Sequence, residues 1–225
     1  MMELRVEEEI RRAYPELHLA YLEIRGMSIG TNSDKVTKLI KDESERLAKS
    51  LTLDTVKDRE DFHAYRDFFW RIGVDPTKTR PAAEALVRRI LKGSSLPRIN
   101  DFVDAYNISS AESGVPIAAF DLDAIEDEII LRMSRAGETF LGIGMDSPKT
   151  LPEGLPVMSS GESVIAIYPY RDADESKITV ETTDAVLIAC GVPGIATSKL
   201  IEAASKARDY IISVCGGVPS KIGSV

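Results

Sequence analysis

The chain has 225 residues, 44% of them apolar, and a formal net charge of −8; that suffices for one large domain or two small ones, with a core that needs no disulfide or metal. Its two cysteines, Cys190 and Cys215, make no C-x-x-C pair and read as buried thiols, and its two histidines, His18 and His63, are too few for the usual zinc ligand sets. There is no apolar signal core and no run of the ~18 apolar residues that span a membrane, so a cytoplasmic protein without membrane partner, metal or cofactor is expected, while the acidic balance argues against a dedicated nucleic-acid binder and against a DNA partner.

In chain order, Met1 to Tyr14 is charged and helix-like, and Leu17 to Ile24 alternates weakly and ends at Gly26, as a strand does. Asn32 or Ser33 caps a helix running to about Leu51, with Val36, Leu39, Ile40 and Leu47 on one face. A second helix spans about Asp58 to Ile72, its first turn acidic and its end marked by Gly73. A third opens at Pro81, continues over Ala82 to Leu91 and stops at Gly93. A short fourth helix starts near Asn100, and a buried strand follows over Val115 to Phe120. The pattern then turns to strands: Glu128 to Met133 and Phe140 to Ile143 as a hairpin, a proline-rich loop from Asp146 to Pro156, a turn at Ser159 to Glu162 before Val164 to Tyr168, then Ile178 to Glu181 and Ala185 to Ala189. The last helix, Ser198 to Val214, carries Leu200, Ala204, Ala207, Ile211 and Val214 at helical spacing, a core face or a helix–helix seam. Helices, then strands, then one closing helix indicate an α+β fold.

Charge is unevenly spread. From Arg66 to Arg98 eight basic residues face three acidic ones, so this stretch is +5 and the remainder is −13. Such a patch steers polyanions or is simply a solvated helix surface. No P-loop, G-x-S-x-G or H-E-x-x-H motif is present, and Gly142-Ile143-Gly144 lacks the third glycine of a dinucleotide site.

The middle of the chain is the most specific. Asn100-Asp101-Phe102-Val103-Asp104-Ala105-Tyr106-Asn107, followed by Gly114-Val115-Pro116-Ile117-Ala118-Ala119-Phe120-Asp121, resembles the "N-x-x-V-D-x-x-N … G-x-P-x-H-A-F-D" pattern of the B3/B4 module of the phenylalanyl-tRNA synthetase beta subunit, with Ala118 where that pattern has histidine. Arg132 to Glu138 with Leu141, Leu151 to Glu162, and Thr179-Val180-Glu181-Thr182-Thr183 continue the resemblance, and Tyr65, Arg66 and Phe68 with Pro81, Arg88 and Arg89 are similar to the helical lead-in of freestanding members. Order and spacing carry it over about Ala64 to Ala189.

The resemblance implies a single B3/B4-type domain over 1–225, with a mostly antiparallel sheet core flanked by helices, a helical lead-in to about residue 95 and a C-terminal helix at about 198–214. It implies tRNA or aminoacyl-tRNA as partner and hydrolysis of a mischarged aminoacyl ester in trans. No part resembles the aminoacylation core.

Such hydrolysis needs an oriented water, a stabilised oxyanion and a receptor for the amino acid's ammonium group. Asp104 and Asp121 are the candidate catalytic carboxylates; Asp123 is a further candidate for the ammonium. Asn100, Asn107, Glu181 and Thr182 are the candidate substrate contacts, and Arg66, Arg80, Arg88, Arg89 and Arg98 the candidate RNA contacts. Arg171 and Asp172 sit over the pocket or form a charged turn. Asn100 and Asp121 also fit helix and turn caps, and Thr182 a strand. With Ala118 in place of histidine, catalysis would rest on backbone N–H groups near Gly114 or Gly161 and on a ribose hydroxyl. A non-catalytic RNA-binding module and an amino-acid-binding module are the two alternatives.

Overall fold

A computed structural model of the chain describes residues 2–225; Met1, at the head of the stretch expected to be helical, lies outside them. The chain opens instead on a strand, β1 (Glu3–Val6), followed by the short α1 (Glu8–Ala13) and by β2 (Leu19–Arg25). Leu4 and Val6 alternate inward from Glu3 and Arg5, the period of a half-buried strand, and this alternation outweighs the helix-like charge pattern. Four helices come next: α2 (Asp34–Ser50), the one-turn α3 (Leu53–Val56), α4 (Glu60–Arg71) and α5 (Ala82–Leu91). Ser33 caps α2, its Oγ accepting from Val36 N at 3.3 Å.

The fourth expected helix is a long one, α6 (Asp101–Ser113). Asn100 caps it by accepting from Val103 N at 2.9 Å, and Gly114 ends it at φ 76°, a left-handed position where a β-carbon would also run into Asp61. Then follow β3 (Ile117–Asp121), β4 (Glu128–Met133), the short β5 (Thr139–Phe140) and β6 (Lys149–Thr150), β7 (Pro156–Ser160), β8 (Ser163–Ile167), β9 (Arg171–Asp172) and β10 (Ala185–Cys190). The closing α7 (Thr197–Cys215) leads into β11 (Val218–Pro219) and β12 (Gly223–Ser224).

Two main sheets form. One runs β1-β4-β7-β8-β9, parallel only between β1 and β4; the other runs β11-β2-β10-β3, with β12 also on β2, and is antiparallel throughout. The fold is α+β and mostly antiparallel, as expected. In the second sheet β10 is buried at every position, so it reads as a continuous apolar run, AVLIAC. Helix α7 lays Leu200, Ala204, Ala207 and Ile211 in the core, and its small residues let α6 come close enough for Ser109 to donate to Ala203 O. It is a core face.

Three strand expectations are corrected. The hairpin joining 128–133 to 140–143 does not form: β4 pairs with β1 and β7, while β5 pairs with β6. Glu138 folds back onto Arg132 and the Arg135 amide, and Phe140 enters a small separate core with Leu151 and Leu155. The proline-rich stretch read as loop contributes β6 and ends at β7, whose hairpin with β8 spans the expected Ser159–Glu162 turn. Residues 178–181 are not a strand but a looped segment, anchored by Asn100 Nδ2 donating to Ile178 O at 3.1 Å.

Candidate functional site

Residues from both sheets and from α5 line one small cavity of about 80 Å³. Pro116 and Ala118 come from the start of β3, Cys190 from the end of β10, Met158 and Ala166 from β7 and β8, Tyr168 to Asp172 from the turn into β9, and Ala82 from α5. The register explains one wall. Met158 pairs with Ala166, and Ala166 pairs with Asp172, so the three form a cross-strand row on one face of the sheet.

Asp172 is the charged group of this row. Among the described residues nothing donates a hydrogen bond to its carboxylate and no cation pairs with it. The residue keeps a partial opening to solvent, but its carboxyl group is surrounded by protein, and burial pushes its pKa up to about 7. Its charge is felt by two neighbours. The Tyr106 hydroxyl is pushed well up, by burial first and then by Asp172, and burial followed by Asp172 does the same to the Cys190 thiol. Cys190 is therefore no nucleophile at neutral pH. Tyr168 closes the wall. It is 1% exposed, its hydroxyl donates to Gly191 O, and its ring meets Phe68 edge-on at 6.2 Å.

The residues expected to be catalytic or to contact the substrate lie elsewhere. Asp104 is 1% exposed and accepts from Arg98 Nε at 2.6 Å and Ile99 N at 2.9 Å. Asp121 accepts from Asp123 N at 3.1 Å and from the Thr182 hydroxyl at 2.5 Å. Asn100 caps α6, Asn107 is half-buried further along it, and Glu181 is exposed. The segment 176–182 gathers Asn100, Asp121 and Thr182 by hydrogen bonds, but neither these three nor Asp104 and Asn107 line the cavity. The Gly114 N–H is spent on Ser110 O, and Gly161 tops the β7–β8 hairpin; neither lines the cavity.

The arginines are also engaged. Arg66, Arg80 and Arg88 converge on the fully buried Glu84, with Arg66 Nε donating at 2.8 Å, Arg88 Nε at 2.6 Å and Arg80 Nε 3.4 Å away. Burial would raise the Glu84 pKa, but the hydrogen bonds from Arg66 and Arg88 hold it below the usual range. The knot ties Arg66 of α4 and Arg80, just ahead of α5, to Glu84 and Arg88 of α5, the helix that brings Ala82 to the cavity, and keeps an excess of two positive charges. Arg89 donates to Ser95 O, and Arg98 is committed to Asp104. Ala118 is the one sequence-flagged position in the cavity wall besides Arg171 and Asp172. Tyr168 ends, and Cys190 follows, a strand that reads as ordinary core, and Met158 falls between a stretch read as loop and one read as turn, so none of the three reads as a site residue; the available signal was the run Tyr168-Pro169-Tyr170-Arg171-Asp172 closing a buried strand on an acid.

Fold and cavity together define an α+β domain with a small cavity between two sheets. The chain belongs to the B3/4 domain family, whose model matches residues 64–212. Among curated relatives it is 30% identical over 115 residues to the phenylalanine–tRNA ligase beta subunit of Salinibacter ruber, covering 51% of this chain and 13% of that protein. It is 29% identical over 150 residues to the same subunit from Protochlamydia amoebophila, covering 66% and 18%. The matches thus span under a fifth of those relatives' length. The fold is similar to an N-terminal fragment of the phenylalanyl-tRNA synthetase beta subunit from Pyrococcus horikoshii, with TM-score 0.53 and 15% identity, covering 96% of this chain and 50% of that one.

Proposed function

We propose that this chain binds the aminoacylated 3′ end of a tRNA in the Ala118–Asp172 cavity and hydrolyses the ester in trans, in the cytoplasm. The observation that carries the reading is the unpaired carboxylate of Asp172 in a B3/4 pocket. An anion without a partner in a partly dry cleft is costly, and the α-ammonium of an aminoacyl ester is a matching counter-charge. Asp172, rather than Asp104 or Asp121, takes the role of ammonium receptor, since the latter two already accept from protein donors. Asn100 and Thr182 then act by anchoring the segment 176–182, while Asn107 and Glu181 are proposed as outer substrate contacts. The excess charge at Arg66, Arg80 and Arg88, with Arg171 at the cavity, suits the phosphates of the 3′ end; Arg89 and Arg98 are proposed as outer contacts.

In the hydrolysis the water oxygen bonds to the ester carbonyl carbon, the bond from that carbon to the ribose oxygen breaks, and the ribose oxygen takes up the proton that the water gives up. With alanine at 118 the cavity wall offers no imidazole to take that proton in passing, so the neighbouring ribose hydroxyl relays it. The same alanine favours the second reading, a module that binds the aminoacyl end without cleaving it. A deacylation screen over a panel of mischarged tRNAs, paired with tRNA binding at low salt, tests both. Release of amino acid supports the hydrolase, binding without release the module, and neither removes the proposal.

A further inference from the structure

Resting on that reading, we infer that the pocket selects a small α-aminoacyl group, of glycyl, alanyl or seryl size, and excludes aromatic ones, with Asp172 holding the ammonium and Tyr168 setting the limit. The volume is the first argument. A cavity of about 80 Å³ is roughly half the ~150 Å³ that admits benzene, so neither a phenyl nor a phenol ring enters without moving a wall.

The walls explain why they stay. Tyr168 is clamped at both ends, its hydroxyl on Gly191 O and its ring edge against Phe68, which itself packs edge-on against Tyr14 at 5.1 Å. Swinging it out would strand a buried hydroxyl and break an aromatic stack. Pro116 and the buried backbone of β3 fix the opposite side, because β3 is paired along its length with β10. The room that exists comes from Ala118 and Ala166, whose side chains end at the β-carbon, and Asp172 is the cross-strand neighbour of Ala166 on the same sheet face. A ligand whose ammonium meets Asp172 therefore has space for little more than a methyl or hydroxymethyl group against the two alanines.

The test is calorimetric titration of the full chain with non-hydrolysable 3′-aminoacylamido-adenosines carrying alanyl, phenylalanyl or propionyl groups, the last being alanyl without its ammonium. Alanyl should bind, propionyl roughly tenfold to a hundredfold more weakly, the range for one charged hydrogen bond, and phenylalanyl without detectable heat. In Asp172→Asn the alanyl advantage over propionyl should vanish. In Met158→Ala, which cuts back one buried wall of the cavity, phenylalanyl should gain. Phenylalanyl binding as tightly as alanyl in the parent, or no advantage of alanyl over propionyl, overturns the inference and leaves the proposed function standing. No binding of any analogue also overturns it; whether the proposed function falls as well is then read from binding and deacylation of intact aminoacyl-tRNA.

Discussion

Asp172 stores free energy that a ligand can release. Its pKa rises from an ordinary 3.8 to about 7 because burial disfavours the charged form. The folded chain thus holds this proton more tightly than the unfolded chain, and stability falls as pH climbs from about 3.8 to about 7. Asp172→Asn carries no charge at any pH. It should match the parent near pH 4 and exceed it at pH 8, by up to about 4 kcal/mol at about 1.4 kcal/mol per pH unit. Denaturant melts of both proteins at the two pH values check this; a variant that is less stable at pH 8 would mean that the carboxylate has a structural partner.

Glu84 behaves in the opposite sense. Its pKa is lowered, so the stability it contributes is present above its ordinary 4.5 and is lost as pH falls through the lower, folded value. Glu84→Gln removes the carboxylate that Arg66, Arg80 and Arg88 share and should cost about 3 kcal/mol at pH 7, with a smaller loss in acid. Asp104→Asn should likewise lower stability, by about 1–3 kcal/mol, since it weakens the bonds to Arg98 and the Ile99 amide. Deacylation by that variant should stay near the parent's. A loss of turnover with stability intact would return catalysis to Asp104.

Among the elements, those with chemical punctuation were legible in the sequence. Ser33 and Asn100 are side-chain acceptors placed just ahead of their helices, Gly93 ends α5, and the spans of α2 and α5 follow, while α7 follows from its apolar spacing. What escaped depended on pairing between distant strands. Pro156 opens β7 without costing a ladder bond at its first position, so prolines that read as loop sit at a strand's edge. The partner of β4 is set by β1, more than a hundred residues away, and no local signal announces it. The pocket was half legible for the same reason. Ala118 stood out by its place in a motif and Arg171 with Asp172 as a charged loop over the pocket or a charged turn, whereas the row that Asp172 forms with Ala166 and Met158 depends on the β7–β8–β9 register. Asn100 tests the element scale. Its amide oxygen starts α6 while its nitrogen holds Ile178, so Asn100→Ala should cost about 1–2 kcal/mol and speed hydrogen exchange over 176–182, the segment that carries Thr182.

At the scale of the whole molecule, an acidic chain keeps a basic knot between α4 and α5, and α5 also lines a cavity that holds an unpaired acid. In the proposed function the knot would attract the polyanion and the cavity would receive the amine, as an aminoacylated nucleic-acid end requires. No helix among the described residues is long and apolar enough to cross a membrane. Arg80 is the most exposed member of the knot, with 44% of its side chain open, and the least tightly bound. Arg80→Ala should weaken tRNA binding and reduce its salt dependence by about one unit of slope, the loss of one phosphate contact. Unchanged slope in a filter-binding series would place the RNA elsewhere.

The most direct measurement compares hydrolysis of alanyl-tRNA by the parent chain and by Asp172→Asn, with tRNA binding followed alongside. The account predicts release of alanine by the parent and at least a ~10²-fold lower rate in the variant, which keeps its fold and its tRNA affinity. Full activity in Asp172→Asn, or a parent that neither binds nor deacylates any aminoacyl-tRNA, would contradict it.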